Sequence, residues 1–99
     1  MEVQHDDPDL QRIEHDVTFR GCFDIDVARQ FRRVMLLIRS VPNESELYRF
    51  PSRHFEKLKG DRQHQHSLRL NQKWRLIVEI AQKTGGNCVH TKEITNHYQ

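Results

Sequence analysis

Cysteine is scarce in this chain: Cys22 and Cys88 lie far apart and neither belongs to a CxxC pair. That excludes a disulfide framework and points to a reducing compartment, with both thiols as small buried hydrophobes. Glycine and proline are also few, at four and three. No glycine-rich phosphate loop, nucleophile elbow, paired-carboxylate motif, repeat or linker is present. Long apolar runs are missing; the longest, Val34–Ile38, is far short of the roughly 20 residues that span a bilayer. The opening "MEVQHDDPDL" is acidic and has no apolar stretch of the kind a secretory leader needs. A cytoplasmic protein with no membrane partner is therefore expected. At 99 residues, 35% hydrophobic and 30% charged, the chain suits one domain, 1–99, with a modest core.

Positive charge is sparse at the start. Residues 1–26 hold eight acidic residues against Arg12 and Arg20, a net of 2 − 8 = −6. Residues 53–75 hold seven basic residues against Glu56 and Asp61, a net of 7 − 2 = +5. The overall +2 hides this contrast. A basic block is often only a solvated face, but it also suits an anionic partner.

Local signals give an order of elements. Asp7 is placed to cap a helix with Pro8 at its first position, and Leu10 and Ile13 face inward. Gly21 breaks that pattern. From Asp24 to Ser40, Val27, Phe31, Val34 and Ile38 recur at helical steps, Val41 extends the series, and Pro42 ends it. Arg29, Arg32, Arg33 and Arg39 fall on solvated faces. "PNESELY" reads as a turn and one helical turn. The period then changes to two. "HFEKLKG" reads as a strand closed by Gly60, followed by strands in "QHSLRL", "WRLIVEI" and "CVHTKEI", with a turn at "KTGGN". Helices first and strands afterwards predict an α+β fold, with N-terminal helices on one face of a small antiparallel sheet.

The hairpin around "SLRLNQKWR" has a definite register. A two-residue loop would pair Leu68 with Arg75 and mix apolar and charged groups on one face. A three-residue loop, Asn71–Lys73, pairs Leu70 with Trp74, Arg69 with Arg75, and Leu68 with Leu76, which keeps one face apolar. Such loops commonly need one left-handed residue, here Lys73. Arg69 and Arg75 then stand opposite each other on the polar face. Like charges so placed cost some tenths of a kcal/mol, up to about 1. Glu79 on the same strand face, or an anionic ligand such as RNA phosphate, would offset this. His64-x-His66 and Cys88-x-His90 offer metal-ligating types, but the strand holding Trp74–Ile80 is expected between them, so no metal site is assigned.

Leu58-Lys59-Gly60-Asp61-Arg62, Gln65, Ser67-Leu68-Arg69-Leu70-Asn71 and Trp74-Arg75-Leu76 form one ungapped pattern. It resembles the HigB-like branch of the RelE/ParE toxin superfamily, over roughly residues 24–98. The resemblance implies a microbial-RNase-like fold and a toxin of a bacterial type II toxin–antitoxin pair. It implies metal-independent mRNA cleavage at the ribosome, with no cofactor. It also implies neutralisation by a helix-turn-helix, HigA-like antitoxin, through which alone operator DNA would be met. By the same resemblance, Lys59 is a cation for the phosphate or transition state. Arg69 and Arg75 hold the RNA backbone or scissile phosphate, and Arg62 touches RNA. Lys57 and Lys73 belong to the same basic RNA-binding set. Glu56 stands where many relatives have histidine, and is a base or a structural residue. The family often ends in Asp-Tyr-His; this chain reads Asn96-His97-Tyr98. His97 is expected to supply acid or base, Tyr98 to stack on a base or bind backbone, and Asn96 to contact RNA. Two other readings stand beside this one: a gyrase-poisoning ParE-type toxin of the same superfamily, or, from the altered tail, an inactive relative acting as an antitoxin-bound co-repressor.

Overall fold

The computed structural model describes residues 1–97. Its elements are β1 (Glu2–His5), α1 (Pro8–His15), α2 (Ile25–Ser40), β2 (Glu56–Lys57), β3 (Gln65–Arg69), β4 (Arg75–Lys83) and β5 (Gly86–Thr95). Short 3-10 segments occupy Glu44–Arg49, Pro51–Arg53 and Gly60–Arg62.

Both helix starts follow from their caps. Asp7 accepts from the Asp9 amide at 2.8 Å, and Asp24 from the Val27 amide at 2.9 Å. Leu10 and Ile13 of α1 join Val27, Phe31, Val34 and Ile38 of α2 in one core with Leu68, Leu76, Val78 and Val89 of the sheet. The helices thus cover one face of the sheet, as expected for the α+β class. Arg32 departs from the solvated role read for it. Its guanidinium donates to the Ile13, Asp16 and Phe19 carbonyls, closing the C-terminal end of α1.

The sheet order is β1-β5-β4-β3-β2. The last four strands form the expected antiparallel set. β1 is an addition: it lies parallel to β5, Val3 opposite Val89 and His5 opposite Thr91, so the sheet is mixed. His5 fixes this edge. One ring nitrogen lies 2.6 Å from the Thr91 hydroxyl and the other 2.7 Å from Glu14, which Arg39 grips from α2 at 2.7 and 2.9 Å.

Two further expectations are corrected. The "HFEKLKG" strand shrinks to Glu56–Lys57, and Gly60, at φ +67°, opens a 3-10 turn instead of closing a strand. Cys88 is buried, but Cys22 is exposed.

Candidate active site

The hairpin register is the one the apolar pattern demanded: Leu68 opposite Leu76, and Arg69 opposite Arg75. The loop closes without a left-handed Lys73. The Asn71 carboxamide oxygen accepts from the Lys73 and Trp74 amides at 3.0 and 2.9 Å. Its nitrogen donates to Asp26 at 3.0 Å. Among the described residues, the one non-glycine at positive φ is His54, at +46°.

His54 belongs to the arrangement that answers the paired-arginine problem. Arg75 is buried, 9% exposed. Its Nη1 donates to the Ser67 hydroxyl at 3.2 Å and to the His54 carbonyl at 3.3 Å, and lies 3.5 Å from Glu56. The other Glu56 oxygen is 3.3 Å from His54 Nε2. Strand alternation places Glu56, opposite Ser67, on the Arg75 face. Arg69 turns to the loop, where Nε donates to the Asn71 carbonyl at 3.3 Å. The carboxylate that meets this arginine pair is therefore Glu56, and it does so at Arg75.

Glu79 serves a second cluster on the same face. It accepts from Gln65 at 3.0 Å and lies 3.6 Å from His64 and 3.8 Å from Lys92. Gln65 in turn accepts from Arg62 at 2.8 Å, and Arg62 also approaches Glu93 at 3.8 Å. Lys92 reaches Asp6 at 2.6 Å. That bond, helped by His90, holds the Asp6 carboxyl below its ordinary value and raises the Lys92 ammonium.

The expected residues are thus divided. Arg69, Arg75 and Glu56 meet near the hairpin end of the sheet. Thr95 pairs with Arg75, so the chain end leaves at the same place. Asn96 and His97 are exposed there; the His97 amide donates to the Thr95 hydroxyl at 3.0 Å. Lys73 is exposed in the loop. Lys59, exposed, and Arg62 sit toward the other end, near Gln65; four strand steps from Gln65 to Arg69 span about 13 Å. Lys57 pairs with His66 and faces the opposite side of the sheet from Arg75. Tyr98 lies outside the described residues. Among the described residues no group of three or more histidines, cysteines or carboxylates is placed to hold a metal ion. His66 fills an aromatic position, stacked on Phe55 with centroids 4.8 Å apart. Burial lowers its basicity, and its Nδ1 is buried without a partner.

Residue reading by type missed His54 and Ser67. The available signal was the His-x-Glu spacing of His54 and Glu56, which alternation can bring to one face. Ser67 carried no such mark; its role appears only when the register sets it between Glu56 and Ile77.

A family model described as the RelE-like toxin of the type II toxin–antitoxin system HigB matches residues 4–92. The chain belongs to the HigB-like toxin family. No curated protein matches it. Among solved structures, the toxin is similar to a YoeB/ParE toxin from Agrobacterium tumefaciens, at 19% identity and a TM-score of 0.61, over 99% of this chain and 100% of the other. At that identity the likeness concerns the fold. The family match extends the toxin's resemblance toward the N-terminus as far as Gln4, within β1.

Proposed function

We propose that this toxin is a ribosome-dependent endoribonuclease that cuts mRNA in the ribosomal A site, in the cytoplasm, without a metal. The observation that carries the reading is the Arg75–Glu56–His54 cluster beside Arg69, on the sheet face opposite the helices. Such cleavage needs a base for the ribose 2′-OH, cations around the crowded phosphate, and an acid for the leaving 5′-oxygen. Arg69 and Arg75 supply the cations. Arg75 is held by Ser67, Glu56 and the His54 carbonyl, so little reorganisation is needed when charge develops. Glu56 orients His54, whose imidazole takes the 2′-OH proton. His97, on the segment leaving β5 beside Arg75, returns a proton to the leaving oxygen, and Tyr98 stacks on a base. Lys59, Arg62, Lys73 and Asn96 bind RNA backbone farther out. Lys57, on the other side of the sheet, contacts RNA only around that edge. A helix-turn-helix, HigA-like antitoxin neutralises the toxin and carries it to operator DNA.

The test uses purified ribosomes programmed with a defined message. Wild type should cut within the A-site codon and leave a 2′,3′-cyclic phosphate. His54→Ala should slow single-turnover cleavage by about 10²-fold or more. Intact message with gyrase-dependent DNA breakage would establish the ParE-type alternative. Intact message and intact DNA, with toxicity appearing once the tail is rewritten as Asp-Tyr-His, would establish the inactive co-repressor.

A further inference from the structure

The outer edge of β3 is left open at its hairpin end. β2 pairs with β3 only at His66 and Ser67, so Arg69 and Leu70 have no strand beside them on that side. Arg53 takes the place of one. Its Nη1 donates to the Arg69 and Leu70 carbonyls at 3.3 and 3.5 Å. Its Nη2 donates to the Gln30 carboxamide oxygen of α2 at 3.1 Å. One planar guanidinium thus joins the hairpin end to the helix layer, a fork that a lysine ammonium does not possess.

The next residue is His54. Its backbone is left-handed, at φ +46° and ψ +52°, where a non-glycine residue persists only if its surroundings hold it. Its amide donates to the Pro51 carbonyl at 3.1 Å, and its carbonyl accepts from Arg75 at 3.3 Å. Arg53 and Arg75 therefore form a reciprocal clamp. Arg75 holds the His54 carbonyl. Arg53, one residue before His54, holds the carbonyl of Arg69, which stands opposite Arg75. The two neighbours also part at the sheet edge: Arg53 runs to α2, and His54 to Glu56 on the other face.

Arg53 is half-buried, and these three acceptors are neutral. Burial and the nearby Arg33 both hold its guanidinium below the ordinary value. A cation set among neutral oxygens, near a second cation, is a costly way merely to brace a turn.

We infer that Arg53 is a positioning residue for RNA cleavage: it fixes the turn that carries His54, and so the reach of the imidazole to a ribose whose phosphate lies on Arg69 and Arg75. This rests on the ribonuclease reading with His54 as base. It adds what sets the distance between base and cations, which lie on separate segments of the chain. Arg53 touches no RNA; its effect passes through the backbone. A base displaced by about 1 Å can lose about 10²-fold in rate.

The test uses the full chain and ribosomes programmed with a defined message. Arg53→Lys keeps the charge and loses the fork; circular dichroism checks its folding. Its single-turnover rate at saturating toxin should fall by about 10- to 100-fold, with half-saturation within about threefold of wild type. Gln30→Met removes one acceptor of Arg53 and should lower the same rate by a smaller factor. Placed on His54→Ala, Arg53→Lys should cost less than about twofold more, since nothing is left to position.

A saturating rate within about threefold of wild type in Arg53→Lys overturns the inference. So does a loss confined to ribosome affinity and deepened by salt, which would make Arg53 an RNA contact. A full multiplicative loss on top of His54→Ala also overturns it, because Arg53 would then act independently of His54. Should Arg53→Lys fail to fold, a wild-type rate in Gln30→Met decides against the inference. A wild-type rate in His54→Ala refutes the base reading itself. A silent Arg53→Lys beside an impaired His54→Ala refutes the positioning role alone.

Discussion

Replacing Glu14 by glutamine keeps the side chain's shape and removes its charge. Glu14 joins three elements: it lies on α1, accepts two bonds from Arg39 of α2, and meets His5 of β1. Its side chain is 9% exposed. Burial pushes its carboxyl upward, but the Arg39 and His5 hydrogen bonds prevail and bring it from 4.5 down to about 2. The difference, 4.5 − 2 = 2.5 pH units, corresponds to about 3.4 kcal/mol at about 1.36 kcal/mol per unit. Arg39 is 39% exposed, and water screens that arm, so about 2 kcal/mol is the expected contribution. Because the folded value lies below the ordinary one, this stability is fully present above pH about 4.5. It is lost as the pH falls through about 2. Urea unfolding of wild type and Glu14→Gln measures it directly. At pH 7 the variant should be weaker by about 2 kcal/mol, or about 8–16 °C in Tm for a domain of this size. By pH 2 the two curves should nearly coincide, because protonated glutamate resembles glutamine. A gap that stays constant from pH 7 to pH 2, or is under about 0.5 kcal/mol at pH 7, refutes the reasoning.

The two hairpin arginines should separate in mutagenesis. Arg69→Ala should reduce cleavage by about 10²-fold with Tm nearly unchanged, whereas Arg75→Ala should also lose about 1–3 kcal/mol, because it strands Ser67, Glu56 and the His54 carbonyl; single-turnover cleavage and thermal melts check both. His66→Phe removes a buried, unpartnered nitrogen and keeps the stack on Phe55. Burial disfavours protonated His66 in the folded state, so wild type should lose stability as the pH falls below about 6.5; part of that loss should vanish in the variant, as melts at pH 7 and pH 5 will show. Asn71→Ala deletes the acceptor for two loop amides and should cost about 1–2 kcal/mol by urea unfolding.

Most of the fold was legible because its determinants are local. Asp7-Pro8 and Asp24 announce helix starts through their own side chains, and Phe31, Val34 and Ile38 announce a face. The hairpin register followed from Leu68, Leu70, Trp74 and Leu76, since a slip would expose them. β1 was not legible. Its four residues contain one aliphatic, Val3, and its pairing with β5 is set by His5 reaching Thr91 and Glu14, all distant in sequence. The candidate site was legible by residue type but not by depth. Arg75 reads as one more surface cation, yet it is buried, because Ser67 and Glu56 from neighbouring strands supply its partners. His54 was hidden by its left-handed backbone, which carries no glycine or asparagine signal. Lys57 was assigned to RNA by charge, and strand alternation sends it to the other face.

β5 lies between β1 and β4, and so joins the two ends of the chain. It is also the last of the five strands to be synthesised. Until it is available, β1 has no partner, the β3–β4 hairpin ends in an open edge, and α2 faces an incomplete layer. Pairs such as Glu2 with Cys88 close nearly the whole chain in one loop, the kind of contact that forms late and slowly. A nascent toxin therefore completes the sheet face that carries Arg69 and Arg75 only once β5 has been made. The topology delays completion of that face by construction.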